Sequence, residues 1–255
     1  KRKEGKESKW SDKLKKNFDY VLNKGIPDAY ALLGEYLANL YYVDKKWTIE
    51  QIKKSELIKE NGLFASFLEG YLHIDKVYDH LYKLMIPSYI RGLDTAFISF
   101  DEGVLKERLV QHIAIGYLRG FENLDKGLLQ RKYIFNNPHR LEEIVNFFWQ
   151  QRDFINEVQA DDKDEIKKMK IDFKARIIEF WEYVVKLYKD IKNPKEEDQK
   201  VLSELSKLTV YCSQIGKKEF NLIQISAPYV TVGFDSSFFI ESLNALKDKG
   251  ENKIQ

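Results

Sequence analysis

The spacing of apolar side chains constrains this chain more than any other feature of its sequence. From Leu14 to Leu246, apolar residues recur about every three to four positions, which is the period of an amphipathic α-helix. No segment alternates strictly between apolar and polar residues for more than a few positions, as a half-buried β-strand would. The pattern predicts an all-α fold in which successive helices bury their apolar faces against each other.

Helix breakers and capping residues divide this pattern into separate helices. Ser11 and Asn137 are typical N-caps, and Thr48 with Gln51 resembles a capping box. Pro87 is expected to kink or split the helix that contains it. The short connections predict antiparallel neighbours. The helices are predicted at 12–23, 27–43, 48–58, 62–72, 75–97, 102–118, 124–135, 138–158, 161 or 162 to 193, 194–211, 218–230 and 235–247.

The predicted helices occupy nearly the whole chain. Residues 11–249 are expected to form one helical-repeat-like domain, and a boundary inside it, if there is one, is expected near residues 120–137. Residues 1–10 are expected to be a flexible basic tail and residues 250–255 a polar tail. The sequence begins with lysine rather than methionine, so we expect a piece of a longer protein.

Charge and cysteine content narrow the expected partners and location. The 42 basic and 40 acidic residues give a net charge of +2, without the dominant positive field of nucleic-acid binders. No apolar run approaches the roughly 20 residues of a transmembrane helix. The single cysteine, Cys212, excludes an internal disulfide. We therefore expect a cytoplasmic protein that binds neither membrane nor nucleic acid.

Familiar catalytic motifs are missing from the sequence. Gly216-Lys217-Lys218 lacks the upstream glycine and the following Ser or Thr of a P-loop, and no nucleophile elbow or zincin helix occurs. No cofactor is therefore expected. Glu69, His73 and His80 would share one face of a continuous helix, so they are the candidate residues if the protein is an enzyme with an unfamiliar helical active site.

Aromatic clusters are the most distinctive feature of the composition. Adjacent residues on a helix point about 100° apart, so Phe147, Phe148 and Trp149 cannot all face one core groove. Exposed Trp and Tyr are favoured anchors in protein interfaces, whereas packing between flanking helices is the alternative role for any of them. The candidate anchors for a partner protein are Tyr42, Trp47, Trp149 and Trp181.

A short Gly and Tyr-Leu motif recurs along the chain. It occurs as GEYL from Gly34, as GYL from Gly70 and as GYL from Gly116, at separations typical of paired-helix repeats. With the FFWQQRDF and EFWEYVVKLY helices and the closing FNLIQISAPYVTVGFDSSFFIESL stretch, the chain resembles C-terminal helical-repeat regions of large bacterial proteins. In these, some of them antiviral, a sirtuin-like NADase or a nucleotide-driven module precedes a TPR-like or HEAT-like array for sensing or assembly.

The resemblance implies a right-handed, solenoid-like array of antiparallel helix pairs and assigns no functional residue. Our leading hypothesis is a non-enzymatic scaffold or sensor region that presents a groove of helices to another protein or to its own longer chain. The alternatives are an enzyme that uses Glu69, His73 and His80, and a self-association module that forms a homo-oligomer. A deep pocket would favour the enzyme, whereas a long shallow groove would favour binding.

Overall fold

All regular structure in the described part of the chain is helical, which confirms the all-α prediction. The computed structural model describes residues 10–74, 76–94, 102–130 and 134–251, and these ranges contain no β-strand. The α-helices are α1 Asp12–Asn23, α2 Pro27–Glu35, α3 Leu37–Val43, α4 Lys45–Glu56, α5 Asn61–Leu72, α6 Asp79–Asp94, α7 Glu102–Leu118, α8 Pro138–Gln150, α9 Arg152–Asn156, α10 Asp164–Tyr188, α11 Glu196–Leu205, α12 Lys217–Ser226 and α13 Phe234–Glu251. Two 3-10 helices span Ser206–Tyr211 and Ala227–Tyr229.

The chain divides into two compact units, Lys1–His112 and Ile113–Gln255. The division lies within α7, N-terminal to the boundary expected near residues 120–137. Of the expected tails, 1–10 and 250–255, residues 1–9 and 252–255 lie outside the described residues, as does Asp101, the expected cap of α7.

Side-chain capping fixes where the first helices of the N-terminal unit begin. Ser11 Oγ accepts a hydrogen bond from the Leu14 amide at 3.3 Å, as predicted. The capping box predicted at Thr48 and Gln51 is wrong, because Asp44 Oδ1 accepts from the Trp47 amide at 3.0 Å and α4 begins three residues earlier. Thr48 and Gln51 are instead buried inside α4.

Helices α2 and α5 pack through two glycines. A Cβ on Gly70 would lie 1.9 Å from the Ala31 carbonyl oxygen, and a Cβ on Gly34 would lie 2.2 Å from the Phe67 carbonyl oxygen. No other residue type fits such an approach of two backbones without displacing one helix. The surrounding apolar side chains, including Leu33 and Phe67, are fully buried, so this crossing is a main part of the unit's core.

Helix α6 runs through Pro87 as one helix from Asp79 to Asp94, so the predicted split does not occur. Packing on both sides outweighs the one hydrogen bond that proline removes, since Met85 and Tyr89 are fully buried. The Tyr89 hydroxyl donates to the Tyr71 hydroxyl at 3.3 Å and lies 3.4 Å from His112 Nδ1. This buried polar cluster links α5, α6 and α7.

In the C-terminal unit, α8 begins as predicted, with Asn137 Oδ1 accepting from the Arg140 amide at 3.2 Å and Pro138 in the first turn. The helix predicted at 124–135 is wrong, because residues 121–130 form turns. Gly127 has φ +88°, outside helical geometry, and the buried Glu122 carboxylate accepts from the Leu128 amide at 2.9 Å. The Glu122 side chain thus provides the acceptor for the Leu128 amide, a role that a backbone carbonyl would have in a helix.

Helix α10 is the longest helix in the described part of the chain. Its 25 residues span about 37 Å at the α-helical rise. One face buries Ile177, Phe180, Trp181 and Val184 completely. The helix predicted to continue to Tyr211 instead ends at Leu205 and is followed by the 3-10 helix Ser206–Tyr211, where the Tyr211 hydroxyl donates to the Phe148 carbonyl.

Candidate protein-binding groove

The outer face of α10 forms the floor of an open groove of about 1100 Å³. Its residues follow each other at intervals of three or four positions, so they share one face of the helix. The C-terminal end of α7 and the turn after it form one wall, and α12 contributes Lys218 at the far end. The α10 residues in the groove are Glu165, Lys168, Met169, Asp172, Phe173, Ala175, Arg176, Glu179 and Glu182.

Reciprocal hydrogen bonds fasten the α7 wall to α10. The Tyr117 hydroxyl donates to the Arg176 carbonyl at 2.8 Å and to Glu179 Oε2 at 3.3 Å. Arg176 Nη1 in turn donates to the Tyr117 carbonyl at 3.0 Å. Burial, together with the Glu179 carboxylate, raises the pKa of Tyr117 well above its usual value of 10.0, so this hydroxyl keeps its proton. The wall is therefore held rigidly.

A second section of the groove, of about 490 Å³, lies between the C-terminal part of α10 and α12. It shares Glu182 and Lys218 with the first section, so the two sections adjoin at this ion pair. Ile225 provides half-buried aliphatic surface in it, together with the edges of Val185 and Leu222, which are 3% and 4% exposed. The remaining residues around it are Lys186, Lys189, Lys217 and Asn221.

Helix α12 is bonded to α10 both in the core and at the surface. The indole Nε1 of Trp181 lies 3.3 Å from Ser226 Oγ, to which it donates in the core. At the surface, Glu182 pairs with Lys218 at 2.6 Å and with Lys186 at 3.0 Å. Hydrogen bonds from Lys218 and then Lys186 lower the pKa of Glu182, so this carboxyl group is ionised at neutral pH and is unsuited to act as a general acid.

Charge differs between the two sections. The first contains four basic residues, Arg119, Lys168, Arg176 and Lys218, and four acidic ones, Glu165, Asp172, Glu179 and Glu182. The second contains four lysines and one carboxylate, that of Glu182. Both sections mix apolar and charged side chains, as protein interfaces do. The groove is therefore a candidate binding surface.

The four predicted anchors lie outside this groove, and the structure places them in different surroundings. Tyr42 on α3 is 57% exposed. Trp47 is 3% exposed, and its Nε1 donates to Asp19 Oδ1 at 2.8 Å. Trp181 is fully buried beneath α12. Two of the four, Trp47 and Trp181, are therefore core residues, because each indole is enclosed by neighbouring helices and its N–H is satisfied internally.

Trp149 is half-buried at the end of α8. The guanidinium carbon of Arg152 lies 3.9 Å from its ring centroid, and the Phe238 ring meets it edge-on at 5.0 Å. Both contacts are internal to the C-terminal unit, so they cover part of the surface that a partner would need. Tyr42 is thus the most accessible of the predicted anchors, and the α10 groove is a site that the aromatic pattern did not indicate.

The residues of the enzyme alternative do not share one helix face. Helix α5 ends at Leu72 and α6 begins at Asp79, so the continuous helix needed to align Glu69, His73 and His80 is absent. Glu69 and His73 lie at a cleft of about 640 Å³ beside α2, whereas the His80 ring packs 4.4 Å from Tyr41. Within the described residues, no three His, Cys, Asp or Glu side chains gather as metal ligands.

No known protein family, curated protein or solved structure matches this chain. None of the helices in the described ranges combines the length and apolar composition that crossing a bilayer requires. The resemblance to bacterial helical-repeat regions therefore remains a prediction from sequence.

Proposed function

We propose that this chain is a non-enzymatic scaffold or sensor region that binds a segment of another protein in the groove along α10. The observation that carries the proposal is the groove's construction. Met169 and Phe173 are half-buried in the first section and Ile225 in the second, and charged residues surround them. Apolar side chains in a partner would bury these three, while the charges would set orientation and association rate.

The rigidity of the groove supports this role. Its α7 wall is fixed by the Tyr117 and Arg176 hydrogen bonds, and its α12 wall by Trp181 and Glu182. A preformed surface loses little conformational freedom when a partner binds, so more of the contact energy is retained as affinity. An enzyme site would instead need a nucleophile or a carboxyl group with a pKa near neutrality, and Glu182 is shifted in the opposite direction.

The same proposal includes the cellular location of the chain and the larger protein that contains it. The chain would act in the cytoplasm as the helical, solenoid-like part of a larger multidomain bacterial protein, as the sequence resemblance implies. The even balance of 42 basic and 40 acidic residues supports a protein partner over nucleic acid. Self-association is a further outcome that the same groove would allow, and static light scattering distinguishes it by molar mass.

A peptide selection tests the proposal. A random peptide library would be selected on the wild-type chain, and affinities of the enriched peptides would be measured by fluorescence anisotropy. The Met169→Glu/Phe173→Glu double variant introduces two carboxylates into the groove, so we expect the affinity to fall about tenfold or more.

Ile240→Glu is the matched control, because Ile240 lies on α13, lines neither section of the groove and is 56% exposed. This variant should bind as the wild type does. The proposal is wrong if the peptides bind the double variant and the wild type equally while both remain folded by circular dichroism.

A further inference from the structure

The section of the groove between α10 and α12 carries a strong excess of positive charge. Lys186 lies in the last turn of α10 and Lys189 follows its end, whereas Lys217 and Lys218 lie in the first turn of α12. The Glu182 carboxylate pairs with two of these four ammonium groups. Across the described ranges, no carboxylate lies within ion-pair distance of Lys189 or Lys217. Four cationic groups thus surround one anionic group.

The nearby acidic side chains do not cancel this excess. Glu219, in the first turn of α12, accepts a hydrogen bond from the Gly216 amide at 3.1 Å, so it is engaged in capping the helix. Asp190 follows Lys189 in sequence but does not line the groove. The ammonium groups of Lys189 and Lys217 are therefore available to an incoming anion.

We infer that this section binds a short acidic segment of the partner whose carboxylates meet Lys189 and Lys217 while its aliphatic side chains pack against Ile225. The inference rests on the proposed function and names the kind of segment that the groove takes. Complementary charge raises the association rate and fixes the orientation of the segment. The acidic part of the segment lies at the α12 end, because only that end has an excess of lysine.

A short acidic peptide fits this surface better than a nucleic acid. A polyanion needs a continuous basic track, but the adjoining section has four acidic residues for its four basic ones. These carboxylates would repel the rest of a polyanion. The half-buried Ile225 side chain also favours an apolar contact over a phosphate backbone.

The peptide selection described above can test this inference separately. The enriched peptides are expected to contain Asp or Glu next to Leu, Ile or Val. Lys189→Glu/Lys217→Glu should weaken their binding about tenfold or more, because attraction becomes repulsion. Lys16→Glu/Lys59→Glu makes the same charge change at exposed lysines of the N-terminal unit, which do not line the groove, and we expect its binding to stay within about twofold of wild type, the range of nonspecific charge effects.

The outcomes separate the two proposals. Peptides that lack acidic residues, or that bind Lys189→Glu/Lys217→Glu as tightly as the wild type, would overturn the inference. If those peptides still lose affinity for Met169→Glu/Phe173→Glu, the groove is a binding site and only its preference for acidic segments is wrong. If neither double variant weakens binding, both proposals fail. A short single-stranded DNA that displaces the peptides would also overturn the preference for an acidic peptide.

Discussion

Gly34 on α2 lies against Gly70 on α5, so close that a Cβ on Gly34 would be 3.0 Å from the Gly70 carbonyl carbon. Backbone meets backbone at this crossing, which leaves space for hydrogen only. Two of the three recurring Gly and Tyr-Leu motifs begin at these residues. The close crossing of α2 and α5 therefore requires glycine at both positions. From the sequence alone, the recurrence of these glycines indicated repeats.

Gly70→Ala should destabilise the fold by about 1–3 kcal/mol, the typical cost of overpacking a tight interior. The added methyl group would collide with the backbone oxygen of Ala31 at 1.9 Å, and a backbone atom cannot move aside as a flexible side chain can. Helix propensity alone predicts a gain of about 1 kcal/mol for the same change, so the sign of the effect is informative. The measurement is the free energy of unfolding from chemical denaturation.

Gly62→Ala is the matched control, because Gly62 lies in the same helix and its Cβ would meet nothing within 4 Å. We expect this variant to be at least as stable as the wild type. A Gly70→Ala variant as stable as Gly62→Ala would contradict the close crossing of α2 and α5.

The caps and the apolar faces were predictable because they depend on local sequence. Ser11 and Asn137 accept hydrogen bonds from the first turns of their helices as predicted. The expectation for Phe147, Phe148 and Trp149 is also confirmed, since only Phe148 is fully buried. At Thr48 the prediction failed because Asp44 precedes it by four residues and caps the same helix with a charged oxygen.

The groove could not be predicted, because it depends on which helices meet in three dimensions. Residues such as Glu165, Lys168, Asp172 and Arg176 have the spacing of an ordinary solvated helix face. Only the packing of the α7 end and α12 beside α10 turns that face into the floor of a groove. Likewise, Pro87 predicted a kink or a split in its helix, but α6 is continuous because the side chains around Pro87 are buried.

Removing the Tyr117 hydroxyl should loosen the groove wall. Tyr117→Phe loses the hydrogen bonds to the Arg176 carbonyl and Glu179, so we expect a loss of about 1–2 kcal/mol in the free energy of unfolding. Tyr183→Phe on α10 is the control, because its ring packs 4.8 Å from Phe135 and the ring is retained. Equal stability of the two variants would show that the Tyr117 hydrogen bonds contribute nothing.

The tryptophan assignments predict opposite results for two of the sequence-derived anchors. Trp181→Ala should cost about 3–5 kcal/mol, because it empties a fully buried site and removes the donor to Ser226. Tyr42→Ala should change stability by at most about 0.5 kcal/mol, as is usual for an exposed position. Thermal unfolding of both variants provides the comparison, and a stable Trp181→Ala would contradict its place in the core.

Stability should fall at alkaline pH partly because of Cys212. Burial, and then the charge of Glu219, raises the pKa of its thiol from 9.0 to about 12. The folded state therefore holds this proton more tightly than the unfolded state. Its contribution to stability is complete below about pH 9 and is lost as the pH rises toward 12.

Cys212→Ala should consequently lose less stability than the wild type between about pH 8 and about pH 10.5, as measured by chemical denaturation. Other buried groups, such as Tyr71 with a pKa raised to about 12, contribute to both proteins and cancel in the comparison. Equal pH dependence of the two proteins would contradict the raised pKa of the thiol.

The central claim is that a partner segment lies in the α10 groove, and a site-specific dye tests it most directly. Ala175→Cys would carry an environment-sensitive fluorophore inside the groove, and Ile240→Cys would carry it on the exposed surface of α13, outside the groove. Cys212 is buried, so it should not react with the dye in the folded protein. A selected peptide should shift the emission at position 175 to the blue and leave position 240 unchanged; equal shifts, or a shift at position 240 alone, would contradict the claim.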